Sequence, residues 1–178
     1  MKGQELLQLL EKENLREEEL PKLLVDQLHR KKKKVATAES CTGGMISARI
    51  TSVSGASAVF DCGVCSYANV IKHQLLNVKD ETLSTWGAVS EKTAMEMARG
   101  VRLLSKADIG VSTTGIAGPL GGTKYKPVGL VYVGVSTEMG LSAHKLNLND
   151  IGKDREQIRA LAVTAALYFA YKALENME

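Results

Sequence analysis

Residues 37–44 read Thr37-Ala38-Glu39-Ser40-Cys41-Thr42-Gly43-Gly44, and the rest of the chain is organised around them. A short apolar segment, Val35-Ala36, precedes it, and apolar residues recur at i, i+4 and i+7 after it, at Ile46, Ile50 and Val53. This spacing is typical of one face of a helix. The sequence therefore predicts a strand, a tight turn and a helix.

The turn contains a hydroxyl residue followed by two glycines. Glycine lets the backbone turn sharply and approach a ligand closely. We expect the amides of Thr42, Gly43 and Gly44 to be unpaired donors at a helix N-terminus, suited to an anion or a developing oxyanion beside Ser40. The structural alternative is that Ser40 or Thr42 is an N-cap and the glycines are a connector.

Composition places the chain among globular proteins of one domain. The sequence has 178 residues, of which 44% are hydrophobic and 24% charged, enough to bury a core. The formal net charge of +3 is too small for a dedicated nucleic-acid binder but compatible with a local anionic ligand. We therefore expect a small-molecule partner rather than a nucleic acid.

The start of the chain lacks the pattern of an export signal. The longest apolar run, residues 128–135, is far below the roughly twenty residues that span a bilayer. Three cysteines, an odd number, favour reduced thiols over a disulfide framework. The sequence predicts a cytoplasmic protein without a membrane partner.

Periodicity predicts helices at residues 4–12 and 17–32, the second ending in a basic run, Lys31 to Lys34. That run is either a solvated helix end, where cations suit the helix dipole, or a nucleic-acid or targeting patch. Further elements are expected as a strand over 58–67, a short helix over 69–76, a helix after the N-cap Ser90, strands over 108–113, 128–137 and 141–148, and a closing helix over 154–176. Alternating strands and helices predict an α/β fold, a three-layer α/β/α domain with a mixed sheet.

Two patterns resemble known motifs but are discounted. Cys62 and Cys65 form a C-x-x-C spacing, yet on a strand residues three apart point to opposite faces, and no second cysteine pair completes a zinc site. Ser142 and Lys145 match S-x-x-K, but they lie in a predicted strand without the companion motifs of β-lactamases. No metal or cofactor is expected.

A second glycine-rich segment, residues 114–122, also follows a predicted strand. Two such loops are expected to meet at the strand ends, where α/β sheets bind ligands. A serine nucleophile there needs a base, and Lys72 and His73 are both candidates from one short helix. They point about a third of a turn apart, so only one can face Ser40. A lysine base would need its pKa lowered by burial or a cationic neighbour.

Several ordered motifs together resemble the CinA C-terminal domain family, which includes the nicotinamide-nucleotide amidases. They are residues 38–44, Ser66-Tyr67-Ala68-Asn69 with Lys72, residues 87–90, residues 114–119 with Gly121-Gly122, and residues 126–129. The resemblance covers roughly residues 33–175. It leads us to divide the chain into an N-terminal helical extension, residues 1–32, and a CinA C-terminal-like amidase domain, residues 33–178.

The resemblance implies hydrolysis of the carboxamide of nicotinamide mononucleotide to nicotinate mononucleotide and ammonia. It implies Ser40 as nucleophile, Lys72 as its base and Tyr67 as an assisting or substrate-binding residue. Substrate binding is expected from residues of both glycine-rich turns and of the last helix: Thr42, Gly43, Gly44, Thr114, Gly115, Gly118, and Arg155 or Arg159. A homodimer is expected by family analogy.

The sequence departs from the family pattern at two places. The chain reads Gly152-Lys153-Asp154-Arg155, one residue longer than the usual Gly-Asp-Arg, so either arginine can take the family's role. Leu120 stands where the family is often polar. The alternative function is a non-catalytic nucleotide-binding or interaction module with the same fold.

Overall fold

Five strands form one mixed sheet in the computed structural model, which describes residues 1–152 and 154–177. In chain order they are β1 (Val35–Glu39), β2 (Phe60–Cys65), β3 (Ile109–Gly115), β4 (Leu130–Ser136) and β5 (Leu141–Asn147). Their order across the sheet is β2-β1-β3-β4-β5. The first three are parallel to one another, and β4 and β5 run antiparallel to their neighbours. The predicted mixed α/β sheet is confirmed.

Helices cover both faces of this sheet. They are α1 (Gly3–Lys12), α2 (Leu20–Lys31), α3 (Met45–Thr51), α4 (Asn69–Leu76), α5 (Asp80–Trp86), α6 (Glu91–Ser105) and α7 (Arg155–Glu175). Helix α6 packs on the sheet, and α4 and α5 pack against α6. Helix α7 also packs on the sheet, and α2 and α3 pack against α7. The result is the three-layer arrangement that the sequence predicts.

Strand β1, which lies between β2 and β3, is buried throughout because helices lie on both faces of the sheet. All five residues of β1 are buried, as expected for a parallel strand covered on both faces. Val35 packs into the larger core, with α2 and α7, and Ala36 and Ala38 pack into the smaller core against α6. Alternate residues of β1 thus join the two hydrophobic layers.

Helix α7 is apolar on nearly all sides. A single inward stripe of Ile158, Leu161, Ala165 and Phe169 is predicted, but buried residues run through the helix from Ala162 to Ala170, and Leu161 is only half-buried. Helix α7 packs against α2 and α3 as well as against the sheet, so more than one of its sides is covered. Asp154 caps the helix by accepting a hydrogen bond from the Gln157 amide.

Three further features of the helices differ from the predictions, and one agrees with them. Helix α5 was not predicted, because its seven residues are too few to show a helical period. The apolar period of Ala94, Met97, Val101 and Leu104 predicts one inner face of α6, yet Leu104 is 54% exposed. Helix α2 begins at Leu20 rather than at residue 17. Ser90 is the predicted N-cap of α6 and accepts a hydrogen bond from the Thr93 amide.

Candidate functional site

The loops after the three parallel strands meet around Ser40. Its amide donates to the Thr113 carbonyl on β3, at 3.0 Å. On the other side of β1, the amide of Ser66 donates to the Glu39 carbonyl, at 2.9 Å. These bonds fix the nucleophile candidate between the ends of β2 and β3. The two glycine-rich loops, after β1 and β3, therefore lie beside each other, as predicted.

A buried carboxylate occupies the start of α3. Glu39 is 1% exposed, and its oxygens accept hydrogen bonds from the amides of Gly44, Ile46 and Ser47 at 2.9–3.1 Å. The hydroxyls of Thr42 and Ser47 donate to it at 2.7 Å. The expectation that the Gly44 amide is an unpaired donor is therefore wrong, because the protein supplies its own anion there.

The remaining turn amides differ from that of Gly44. Within the described residues, the amides of Thr42 and Gly43 donate to no acceptor of the chain. The Thr42 side chain itself is buried and bonded to Glu39 and to the Thr113 hydroxyl, at 2.7 Å each. Gly43 has a φ of 60°, in the left-handed region that favours glycine. The turn thus keeps two backbone donors near Ser40.

The amine of Lys72 lies in contact with Ser40. Lys72 is 1% exposed, and its Nζ lies 3.0 Å from Ser40 Oγ. The same nitrogen donates to the carbonyl of Ser66 at 2.6 Å and to that of Tyr67 at 3.3 Å. The other candidate base, His73, is half-exposed and points away from Ser40, since its Nδ1 lies 2.9 Å from the Val78 carbonyl. Of the two, it is Lys72 that reaches the serine.

Burial changes the proton affinity of two groups in this site. Desolvation lowers the pKa of Lys72 from its ordinary value to about 8, since a buried amine is disfavoured in its charged form. Desolvation also raises the pKa of the Cys41 thiol to about 12. Cys41 is therefore a protonated packing group, and Ser40 is the turn residue whose hydroxyl contacts a base.

Tyr67 and Arg155 form the outer edge of the site. The Arg155 guanidinium donates from Nη2 to Tyr67 Oη, at 3.2 Å, and from Nη1 to the carbonyl of Gly118, at 2.8 Å. Both side chains are exposed. The contact to Gly118 ties the first turn of α7 to the second glycine-rich loop.

Arg159 has a different position. Its Nε donates to the Cys41 carbonyl at 3.1 Å and its Nη2 to the Thr42 carbonyl at 2.9 Å. It therefore holds the backbone of the nucleophile turn. Arg155 lines the cavity at Ser40, whereas Arg159 is not among the residues that line it.

A cavity of about 210 Å³ opens at Ser40. Its lining combines residues from five chain segments: Ser40, Cys41, Tyr67, Lys72, Ala88, Val89, Thr114, Gly115, Ala117 and Arg155. The Thr114 hydroxyl donates to the Ala88 carbonyl, at 2.7 Å, and so holds the wall that follows α5. Of the predicted substrate contacts, Thr114, Gly115 and Arg155 line this cavity, whereas its lining does not include Thr42, Gly43, Gly44, Gly118 and Arg159.

Sequence reasoning missed two parts of the site. The wall at Ala88 and Val89 belongs to a segment quoted only for its resemblance to the family, without a structural role. Glu39 was treated as part of the strand, although an acid directly before a predicted helix start is a recognisable signal for a cap. The Glu39 carboxylate accepts from backbone amides of the next helix, and Ala88 contributes its backbone carbonyl, so neither role shows in the identity of a single side chain.

The described residues contain no group of three or more histidine, cysteine or acidic side chains arranged to hold a metal ion. Cys62 is half-buried and Cys65 is exposed. The two side chains lie on opposite faces of β2, as their spacing on a strand requires. In residues 1–152 and 154–177, every helix is too short or too polar to span a bilayer.

Comparison with known families gives a match over most of the chain. The model of the CinA C-terminal domain matches residues 17–174. A putative competence-damage inducible protein of Thermoanaerobacter sp. (strain X514) is 52% identical over 151 residues, which are 85% of this chain and 36% of that protein. A CinA-like protein of Kosmotoga olearia is 48% identical over 158 residues, 89% of this chain and 38% of its own. The chain thus spans less than two fifths of these relatives.

Solved structures resemble the whole fold. The crystal structure of competence/damage inducible protein CihA from Agrobacterium tumefaciens has a TM-score of 0.85 and 42% identity, covering 90% of this chain and 96% of its own. The competence damage-inducible protein A from Klebsiella pneumoniae has a TM-score of 0.85 and 31% identity, covering 92% of this chain and 99% of its own.

Proposed function

Because this chain belongs to the CinA C-terminal domain family, we propose that it is a serine amidohydrolase that converts nicotinamide mononucleotide to nicotinate mononucleotide and ammonia. One observation carries the proposal. The buried amine of Lys72 lies 3.0 Å from Ser40 Oγ, and its pKa is lowered to about 8. A lysine placed in this way is suited to act as a general base near neutral pH.

The surroundings of Lys72 favour one orientation of its neutral form. A neutral amine has two hydrogens and one lone pair. The carbonyls of Ser66 and Tyr67 accept from Nζ, so they can take both hydrogens. The lone pair then faces the Ser40 hydroxyl. This arrangement prepares Lys72 to accept the serine proton rather than to donate to it.

The reaction follows from this geometry in two halves. Ser40 Oγ attacks the carboxamide carbon while its proton passes to Lys72, giving a tetrahedral oxyanion. The ammonium of Lys72 then protonates the leaving nitrogen, the carbon–nitrogen bond breaks, and ammonia departs from an acyl-serine ester. Water attacks this ester and gives its proton to neutral Lys72. Collapse of the second tetrahedral intermediate returns that proton to Ser40 and releases the carboxylate.

The free amides of the turn are the candidate oxyanion donors. Those of Thr42 and Gly43 are without an acceptor in the described chain, and preformed amide donors stabilise a developing negative charge without reorganisation. Arg159 supports them indirectly, since it holds the carbonyls of Cys41 and Thr42. The Gly44 amide is excluded from this role by its bond to Glu39.

The cavity suits the reacting end of the substrate rather than the whole nucleotide. Its volume of about 210 Å³ is below the roughly 300–1,000 Å³ of sites that enclose an entire drug-sized ligand. The amide-bearing ring fits between Ser40 and Thr114. The ribose phosphate would then lie outside, at the exposed Tyr67 and Arg155, where a guanidinium suits an anionic group.

The test is ammonia release from nicotinamide mononucleotide by the purified chain with a metal chelator present. We expect turnover by the wild type, none by Ser40→Ala and retained turnover by the matched control Cys41→Ala, which alters the adjacent buried side chain. Nicotinate mononucleotide should appear in equal amount to ammonia. Wild-type-like release from Ser40→Ala would contradict the mechanism. Binding of the nucleotide without any turnover would support the non-catalytic alternative.

A further inference from the structure

A second cavity, larger than the one at Ser40, lies along α5 and α6. Its volume is about 570 Å³, which is within the range of small-molecule sites. It shares no lining residue with the cavity at Ser40. We call it the α5–α6 groove and define it by Trp86, Met95, Leu103, Lys79, Lys92 and Arg99. Nothing in the proposed hydrolysis uses these residues.

The floor of the groove depends on a close approach of two helices. A Cβ on Gly100 would lie 2.0 Å from the carbonyl oxygen of Leu76, so only glycine lets α6 and the end of α4 come this near. Both residues line the groove. The backbone contact makes the floor rigid, and the groove is therefore largely preformed.

One of the two carboxylates in the groove is already occupied. The Glu96 oxygens accept from the Lys79 amide at 2.8 Å and from the Thr82 hydroxyl at 2.7 Å. Both bonds fasten the start of α5 to α6. Glu96 therefore has a structural role. The other acidic residue of the lining is Glu81.

The cations of the groove lack such partners. Among the described residues, Lys79, Lys92 and Arg99 form no ion pair with a carboxylate. The Lys92 amine lies 4.4 Å from the centre of the Trp86 ring, a cation–π contact that holds both side chains at the rim. Positive charge is therefore in excess and directed at a concave surface.

Apolar side chains complete the groove. Trp86 is 50% exposed and Leu103 56% exposed, although burying either would be favourable. An indole face beside aliphatic side chains suits a planar ring, while unpaired cations suit a phosphate or carboxylate. A ligand that carries both features would satisfy the two halves of the groove at once.

We propose that the α5–α6 groove binds a small organic anion that carries an aromatic ring, of the size of a nucleoside monophosphate. The ring lies against Trp86 and Leu103, and the anion lies against Arg99 and Lys79. This site is separate from the hydrolytic one and does not depend on it.

Trp86 gives a direct readout, because it is the single tryptophan of the sequence. Its fluorescence, excited near the red edge of its absorption, is followed during titration with adenosine monophosphate, with benzoate and with inorganic phosphate. We expect a saturable change with adenosine monophosphate. If benzoate also changes the fluorescence, the groove accepts aromatic carboxylates as well as phosphate esters. If benzoate does not change the fluorescence, the groove requires the phosphate ester. Phosphate alone should have little effect.

The variant Arg99→Glu reverses an exposed charge of the groove without touching the core. We expect it to raise the dissociation constant by roughly tenfold or more, since it replaces a charge-assisted contact by repulsion. The matched control is Lys12→Glu, an exposed lysine on α1 outside the groove, which should bind as the wild type does.

Three results would overturn the proposal. The first is the absence of a saturable change with both aromatic anions. The second is equal affinity in Arg99→Glu and the wild type, which would place the ligand elsewhere, including at Ser40. The third is a concentration-dependent dimer, seen by sedimentation, in which Trp86 is already shielded, because the occupant would then be a second copy of the chain.

Discussion

At the scale of single residues, the proton affinity of Lys72 decides when the site can work. Its pKa of about 8 means that the neutral, basic form is the minor one at pH 7 and the major one above the pKa. We expect kcat/KM for ammonia release to rise about tenfold per unit of pH below about 8 and then to level off. A profile that is flat between about pH 6 and 8 would contradict this role.

The substitution Lys72→Arg separates charge from basicity. A guanidinium stays protonated at every accessible pH, so we expect no turnover from this variant even at high pH. The same ammonia assay measures it. Recovery of activity in Lys72→Arg would show that the cation, and not the base, is what Ser40 requires.

The two arginines of α7 should behave differently. Arg155→Ala removes an exposed guanidinium at the cavity mouth, so we expect a higher KM with little change in melting temperature. Arg159→Ala removes the side-chain donor to the Cys41 carbonyl and leaves the Thr42 carbonyl with only the Met45 amide, so we expect lower kcat and a loss of stability of about 1–3 kcal/mol. Kinetics and thermal unfolding of both variants make the comparison, and an exchange of the two effects would contradict it.

The sequence predicts part of this site and leaves the rest open for physical reasons. It locates the turn at Ser40, because glycine spacing is a local signal. It does not choose between Lys72 and His73 without family resemblance, since the rotation of α4 about its axis depends on packing against α6. The bond from Arg155 to Gly118 spans 37 residues, and no local pattern encodes it.

At the scale of elements, the contact between α4 and α6 sets the position of the base. Gly100→Ala would place a methyl group against the Leu76 carbonyl and push α4, with Lys72, away from Ser40. We expect a lower melting temperature and a kcat reduced by tenfold or more, because small displacements of a catalytic group are costly.

The matched control for this substitution is Gly140→Ala. A Cβ at Gly140 meets nothing within 4 Å, so the same change should leave stability and turnover near the wild-type values. Wild-type stability and turnover in Gly100→Ala would contradict the prediction. They would mean that the distance between α4 and α6 does not set the position of Lys72.

Elements differ in how well local sequence predicts them. Helix α6 follows from its N-cap Ser90 and its apolar period. Helix α5 completes only about two turns, which is too short for a helical period to show in the sequence. The exposure of Leu104 does not follow from the sequence either, because a helical period does not show which positions the neighbouring elements leave uncovered. The order of strands, with β1 between β2 and β3, requires long-range pairing that periodicity does not contain.

At the scale of the whole molecule, the first 32 residues contribute to the core. Leu20, Leu24 and Leu28 of α2 are fully buried in the same hydrophobic cluster as α7. We expect Leu24→Ala to lower the free energy of unfolding by about 2–5 kcal/mol. The exposed substitution Lys22→Ala on the same helix should cost less than about 1 kcal/mol. Denaturant unfolding measures both.

The same experiment on a chain that lacks residues 1–32 tests the division into extension and domain. Removing α2 would expose apolar surface along α7, so we expect loss of cooperative unfolding. Unchanged, cooperative unfolding of the shortened chain would instead support the boundary at residue 32 that the sequence predicts. The family match, which begins at residue 17, includes α2.

The burial of Lys72 also has a consequence for chemical labelling. Reagents that modify amines need the neutral form, and Lys72 holds more of it at pH 7 than an ordinary lysine does. Its amine is enclosed by two carbonyls and a hydroxyl, so small cyanic acid can enter where bulky activated esters cannot. A carbamoylating reagent and an acylating active ester would therefore modify different lysines of the same molecule, and only the first would deprive Ser40 of its base.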